Sequence, residues 1–270
     1  MNDAVPSQPP PPDTRFRLRE VPIRVLAPNL ITLLALCSGL TSIKLAMEGR
    51  LELALWCIMF AAILDGIDGR LARLLKGTSR FGAELDSLTD FVNFGCAPAL
   101  ILYMWILNQA GNAGWIAALV FAICAALRLA RFNVQLDDPN KPAWASNFFM
   151  GIPAPAGAIV VLLPIYIVLI GYPKSGLPAV VVLLYTLAIA WLMVSRVPTF
   201  SGKKMGTAIG REKVVLLLIG VAVFVGLLVA YTWEVMAICT VLYLGLLPAW
   251  VRWYRRLEAE DKARAETPAA

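Results

Sequence analysis

Asp65-Gly66-Ile67-Asp68-Gly69-Arg70-Leu71-Ala72-Arg73 closes one apolar stretch, and Gly82-Ala83-Glu84-Leu85-Asp86-Ser87-Leu88-Thr89-Asp90 opens the next. Together they place four aspartates at the ends of two strongly apolar segments. Unpaired carboxylates are costly there and mark an ion, a proton path or a substrate. Asp65 and Asp68 are three residues apart and Asp86 and Asp90 four apart, so on helices each pair shares one face within about one turn. The eight residues 74–81, with Gly77, Thr78 and Ser79, read as a turn. A connection that short suits two antiparallel neighbouring helices with both aspartate pairs at the same membrane face.

Outward from this stretch the chain stays apolar: 59% of its residues are hydrophobic and 16% charged, with a mean hydropathy of +0.72. Soluble domains carry about 25% charged residues, so the composition is that of an integral membrane protein. Five cysteines (Cys37, Cys57, Cys96, Cys124 and Cys239) lie scattered through apolar segments without CxxC spacing and read as small buried hydrophobes. Histidine is absent, which removes Ser-His-Asp and Cys-His chemistry and leaves a carboxylate, Lys, Tyr or Cys as any general base.

A span needs roughly 20 apolar residues. Eight stretches qualify, over about 27–47, 52–73, 84–108, 113–135, 152–171, 177–197, 213–231 and 235–252. The expected fold is therefore all-α, a polytopic membrane bundle of about eight transmembrane helices. An even number puts both termini on one side, and the basic ends (Arg15, Arg17, Arg19 and Arg24, then Arg252, Arg255 and Arg256) assign that side to the cytoplasm. Of 24 Lys and Arg, all but Lys44, Arg50 and Lys174 then fall on the cytoplasmic side, in keeping with an anionic cytoplasmic leaflet. That placement explains the net charge of +6 without nucleic acid as a partner. Residues 1–14, with five prolines, read as a disordered tail without a secretory signal. Residues 15–256 read as a single membrane domain and 257–270 as a cytoplasmic tail.

In this topology Asp65, Asp68, Asp86 and Asp90 converge near the cytoplasmic face. Clustered carboxylates repel one another in a low dielectric unless cations balance them, and an all-oxygen set favours Mg²⁺ or Mn²⁺ over Zn²⁺. Two such ions would clamp a phosphoryl group and its attacking and leaving oxygens. Gly69 and Ala72 lie four residues after Asp65 and Asp68, and Gly82 four before Asp86, so small residues share the aspartate faces and leave room for a ligand. Arg73, Arg128 and Arg131 could neutralise phosphate or carboxylate oxygens. The bland alternatives are helix-end ion pairs for the first two aspartates, helix packing for the small residues and topology anchors for the arginines. An intramembrane cation-transport site is the reading from another class.

The arrangement D-x2-D-G-x2-A-R-x8-G-x3-D-x3-D, eight fixed residues over 26 positions from Asp65 to Asp90, resembles at every fixed position the signature of the CDP-alcohol phosphatidyltransferase family. Pro28 to Thr32, Asp90 to Pro98, Arg128 to Asn133, Met150 to Pro155 and Ser195 to Pro198 look like the bacterial, serine-using branch, although Asn93 stands where Ser is expected in many members. The resemblance implies transfer of the phosphatidyl group from CDP-diacylglycerol to L-serine, giving phosphatidylserine and CMP. By that likeness Asp65, Asp68, Asp86 and Asp90 would hold two Mg²⁺ or Mn²⁺ ions, and Asp90 would also serve as the catalytic base. Gly69, Ala72, Arg73 and Gly82, with Asn29 and Thr32, would line the CMP site, while Arg128, Arg131, Asn133 and Arg196 are candidates for the serine pocket. A homodimer in the bacterial inner membrane, its active site facing the cytoplasm, completes the expectation. Glycerol 3-phosphate or inositol phosphate are the alternative acceptors.

Overall fold

The computed structural model describes residues 23–75, 77, 79–136, 148–200 and 211–266. The expected tail 1–14, three arginines of the basic collar (Arg15, Arg17 and Arg19) and Lys203 and Lys204 lie outside the described residues. The first two apolar stretches form helices α1 (Ile23–Met47) and α2 (Leu51–Leu74), joined by a tight turn in which Gly49 has φ +76°. Lys44 pairs with Glu48 at 2.9 Å across that turn. The two helices pack along each other, and Ser38 Oγ donates to the Cys57 carbonyl at 2.8 Å between them.

The third stretch forms α3 (Arg80–Asp90), a π-turn (Phe91–Cys96) and α4 (Ala97–Trp105). Ser79 caps α3 by accepting the Gly82 N–H at 3.0 Å. The wide turn begins directly after Asp90, and the Ala97 N–H reaches back to the Val92 carbonyl. Pro98 follows at once; it has no N–H to continue an ordinary α ladder, so the strain is absorbed in the wider turn. Helix α5 (Asn112–Leu136) comes next, then α6 (Ala154–Val161), α7 (Leu163–Leu169), α8 (Ala179–Val194), α9 (Arg211–Ala230) and α10 (Thr232–Glu266).

Several expectations are corrected here. The stretch 152–171 is not one helix, because it divides between α6 and α7 just before Pro164. Nor is the fold purely α: Phe148–Met150 (β1) and Pro198–Phe200 (β2) form a short antiparallel pair, where two loops meet. Separately, α10 continues as helix through residues 257–266. Helix α1 packs against both α2 and α3, and a cleft lies between the aspartate-bearing ends of the three.

Among the described residues, four helical segments are long and apolar enough to cross a membrane: Leu26–Met47, Arg80–Trp105, Asn112–Val134 and Thr232–Asp261. Two further apolar helices, Ala179–Val194 and Val214–Ala230, are shorter. The buried core gathers Phe94, Ile101, Leu102, Phe121, Leu162 and Tyr166 from the middle of the chain, and Tyr166 stacks on Trp233 of α10 at 6.0 Å between ring centroids. Helix α9 is apolar and exposed almost all round from Val214, the pattern of a helix surrounded by lipid.

Lys44 and Arg50 stand at the α1–α2 turn, on the order of 20 Å along α2 from Asp65 at about 1.5 Å per residue. Lys174 donates to the Trp105 carbonyl at 2.7 Å and lies over its ring, closing the far end of α4. The three cations assigned from the sequence to the opposite face thus sit at the helix ends remote from the aspartates.

Candidate metal and nucleotide site

Asp65 and Asp68 project from the last turns of α2 and Asp86 from α3, and their carboxylates meet across the gap between those helices. One oxygen from each of Asp65, Asp68 and Asp86 lies within 4.8 Å of the others. Oxygen ligands at about 2.0–2.6 Å from a hard divalent cation can span that distance. Asp90, one turn further along α3, stands outside this trio but faces Asp65 and Asp86. Asp68 is only 3% exposed. Its Oδ2 accepts from the Thr32 hydroxyl of α1 at 2.6 Å, while its Oδ1 is buried with no partner, as is Asp90 Oδ1. Among the described residues no Lys or Arg forms an ion pair with any of the four.

Buried carboxylate oxygens without donors need a cation. The absence of nitrogen and sulfur ligands suits a hard one. The donor set therefore fits the divalent metal expected from the sequence.

Asp68 and Asp86 of the trio line a cleft of about 180 Å³ between the ends of α1, α2 and α3. Asn29, Thr32, Gly69, Ala72 and Gly82 all line it beside Asp68 and Asp86, so five of the six nucleotide-site candidates come together. A Cβ on Gly69 would meet nothing within 4 Å, which is open space for a ligand. On Gly82 a Cβ would lie 2.8 Å from Asn29 Oδ1 and 3.2 Å from Ser79 Oγ, so a larger residue there would push the Asn29 side chain from its place in the cleft. The N-terminus of α3 lies at the cleft, where helix-end N–H groups favour an anion.

Arg73 is the exception. Its Nε donates to the Gly69 carbonyl at 3.0 Å, and it lines a separate shallow surface with Arg70 and Leu74. Ser79 and Gly77, read from the sequence as turn residues and not as site residues, also line the cleft. For Ser79 the signal was available, a serine standing just before a helix start.

The serine-pocket candidates separate. Arg128 is buried behind Asp90, with Asp65 also within electrostatic range. Arg131 donates from Nη1 to the Val194 carbonyl at 2.7 Å, closing the last turn of α8. Asn133 donates to Ser87 Oγ at 2.9 Å and ties α5 to α3. Arg196 is exposed after α8. Asn93 is fully buried in the π-turn against Gly39 of α1 and does not line the cleft.

The fold and this group of carboxylates beside a small-residue cleft define a helical membrane protein with a candidate divalent-cation site. The family model for CDP-alcohol phosphatidyltransferase matches residues 25–195, and that for CDP-alcohol phosphatidyltransferase 2 matches 212–248. The chain belongs to the CDP-alcohol phosphatidyltransferase family. Relatives named CDP-diacylglycerol–serine O-phosphatidyltransferase include one from Mycobacterium bovis, 51% identical over 141 residues, covering 52% of this chain and 49% of the relative. One from Mycobacterium leprae is 51% identical over 144 residues (53% and 47%). One from Helicobacter pylori is 42% identical over 138 residues (51% and 56%). The chain thus spans about half the length of the curated relatives it matches.

Proposed function

We propose that this protein transfers the phosphatidyl group of CDP-diacylglycerol to L-serine, giving phosphatidylserine and CMP. The observation that carries the reading is the meeting of Asp65, Asp68 and Asp86, two of which line the cleft, with Asp90 alongside. The name shared by the relatives supports serine as the acceptor.

Asp65, Asp68, Asp86 and Asp90 would hold Mg²⁺ or Mn²⁺, two ions in our reading. Divalent cations bound there draw charge from the pyrophosphate and stabilise the leaving phosphate. Thr32 holds Asp68 in its ligating orientation, and Asn29, Gly69, Ala72 and Gly82 seat the cytidine nucleotide. Asp90 accepts the proton of the serine hydroxyl as its oxygen attacks the phosphorus bearing diacylglycerol. The new P–O bond forms, the bond to the CMP phosphate breaks, and CMP departs with the electron pair. In a chain without histidine a carboxylate is the natural base.

The reading further holds that all eight apolar stretches cross a bacterial inner membrane, that both termini and the site face the cytoplasm, and that the protein is a homodimer. Charge placement supports the orientation.

The test offers L-serine, glycerol 3-phosphate and inositol phosphate separately to purified protein with CDP-diacylglycerol and Mg²⁺ or Mn²⁺, and measures CMP. Release with serine is expected. Release with another acceptor only would keep the family chemistry and reject the product named here.

A further inference from the structure

Near Asp90, and outside the lining of the nucleotide cleft, α5 and α10 bring together two donors that the site described above does not use. Arg128 of α5 is 7% exposed. Its guanidinium sits 5.5 Å from the centre of the Phe132 ring and has Asp90, Asp65 and Tyr243 within electrostatic range. Among the described residues it forms neither an ion pair nor a hydrogen bond. Tyr243 of α10 turns its hydroxyl inward, where the oxygen is buried without a hydrogen-bond partner. The Thr199 hydroxyl of β2 lies beside it and gives its own hydrogen to the Gly151 carbonyl at 2.9 Å.

A buried guanidinium and a buried phenol hydroxyl that both lack an acceptor are costly unless something supplies one. The guanidinium offers a planar fork and the phenol a single O–H, a combination that matches the two oxygens of a carboxylate. Neither neighbouring aspartate supplies that acceptor in this geometry, since among the described residues no carboxylate oxygen is within ion-pair distance of Arg128.

We infer that Arg128 and Tyr243 together grip the carboxylate of the acceptor amino acid, and that Tyr243 sets the preference for acceptors carrying one. The inference rests on the serine reading above. It places the acceptor between Asp90, which faces its hydroxyl, and a guanidinium and phenol that hold its other end. It also gives α10 a direct part in specificity, although Tyr243 lies outside the 25–195 segment that carries the aspartates.

The test compares wild type with Tyr243→Phe, using L-serine and L-serinamide as acceptors and following CMP release and thermal unfolding. Because the hydroxyl has no partner in the protein itself, its loss should leave the unfolding temperature unchanged. The KM for serine should rise about tenfold, as expected for a hydrogen bond to a charged group. The KM for CDP-diacylglycerol should not move, and the preference for serine over serinamide should shrink by the same factor. Arg128→Lys, which keeps the charge and loses the fork, should shrink it too.

An unchanged serine KM in Tyr243→Phe, an equal loss with both acceptors, or an unstable variant would overturn the inference while leaving the serine reading intact. Wild-type protein that uses no carboxylate-bearing acceptor would overturn both.

Discussion

The Thr32 hydroxyl on α1 donates to Asp68 Oδ2 on α2 at 2.6 Å, leaving the buried Oδ1 of the same carboxylate free for a cation. A donor that hydrogen-bonds a ligating carboxylate orients it before the metal arrives, and its loss typically costs about 10–100-fold in metal affinity. Thr32→Val should therefore raise the Mg²⁺ or Mn²⁺ concentration for half-maximal CMP release by about that factor. An unchanged metal requirement would remove Thr32 from the site.

Gly69 and Gly82 line the same cleft for different reasons, and their substitutions should separate. Gly69→Leu points a side chain into open space, so thermal unfolding should shift by no more than about 0.5 kcal/mol while turnover of CDP-diacylglycerol is lost. Gly82→Ala drives a Cβ against Asn29 and Ser79 and should lower stability and raise the KM for CDP-diacylglycerol together. Full activity in Gly69→Leu would place the nucleotide elsewhere.

Arg131 is committed to the Val194 carbonyl. Arg131→Ala should cost about 1–2 kcal/mol in thermal unfolding, and the ratio of the KM values for serine and CDP-diacylglycerol should hold. A selective rise in the serine KM would return Arg131 to the acceptor pocket.

Asn93 and Gly39 form a packed pair, with the Asn93 side chain filling the space in which a Gly39 Cβ would stand. Gly39→Ala should destabilise the α1 contact by about 1–3 kcal/mol through overpacking. Asn93→Ser should restore much of that loss in the double variant, a coupling that unfolding measurements on the four proteins would show. Additive effects would contradict the contact.

What the sequence made legible is what short-range spacing encodes. The three- and four-residue intervals of the aspartates and their small neighbours put Asp65, Asp68, Asp86, Gly69, Ala72 and Gly82 into one site, as helical periodicity requires. Spacing along a helix says nothing about which third helix packs against the other two, so the place of Asn29 and Thr32 of α1 at the cleft came from the family resemblance alone. The π-turn after Asp90 and the break before Pro164 both follow from prolines inside apolar runs. In a membrane segment such residues are common enough that composition alone does not locate a break. Arg73 shows the opposite limit: its place in the motif suggested the cleft, while its side chain folds back on its own helix. Tyr243 carried no signal at all, since one tyrosine in an apolar helix is unremarkable until Arg128 is seen beside it.

The most direct test of the account is CMP release by the purified protein in detergent with CDP-diacylglycerol, L-serine and Mg²⁺ or Mn²⁺, compared between wild type and Asp90→Asn. Wild type should release CMP and phosphatidylserine in equal amounts, only when serine and metal are both present. Asp90→Asn should fall by about 10²–10⁴-fold, the range for losing a positioned base. Release that continues without metal, or that survives in Asp90→Asn, would contradict the carboxylate chemistry proposed for this site.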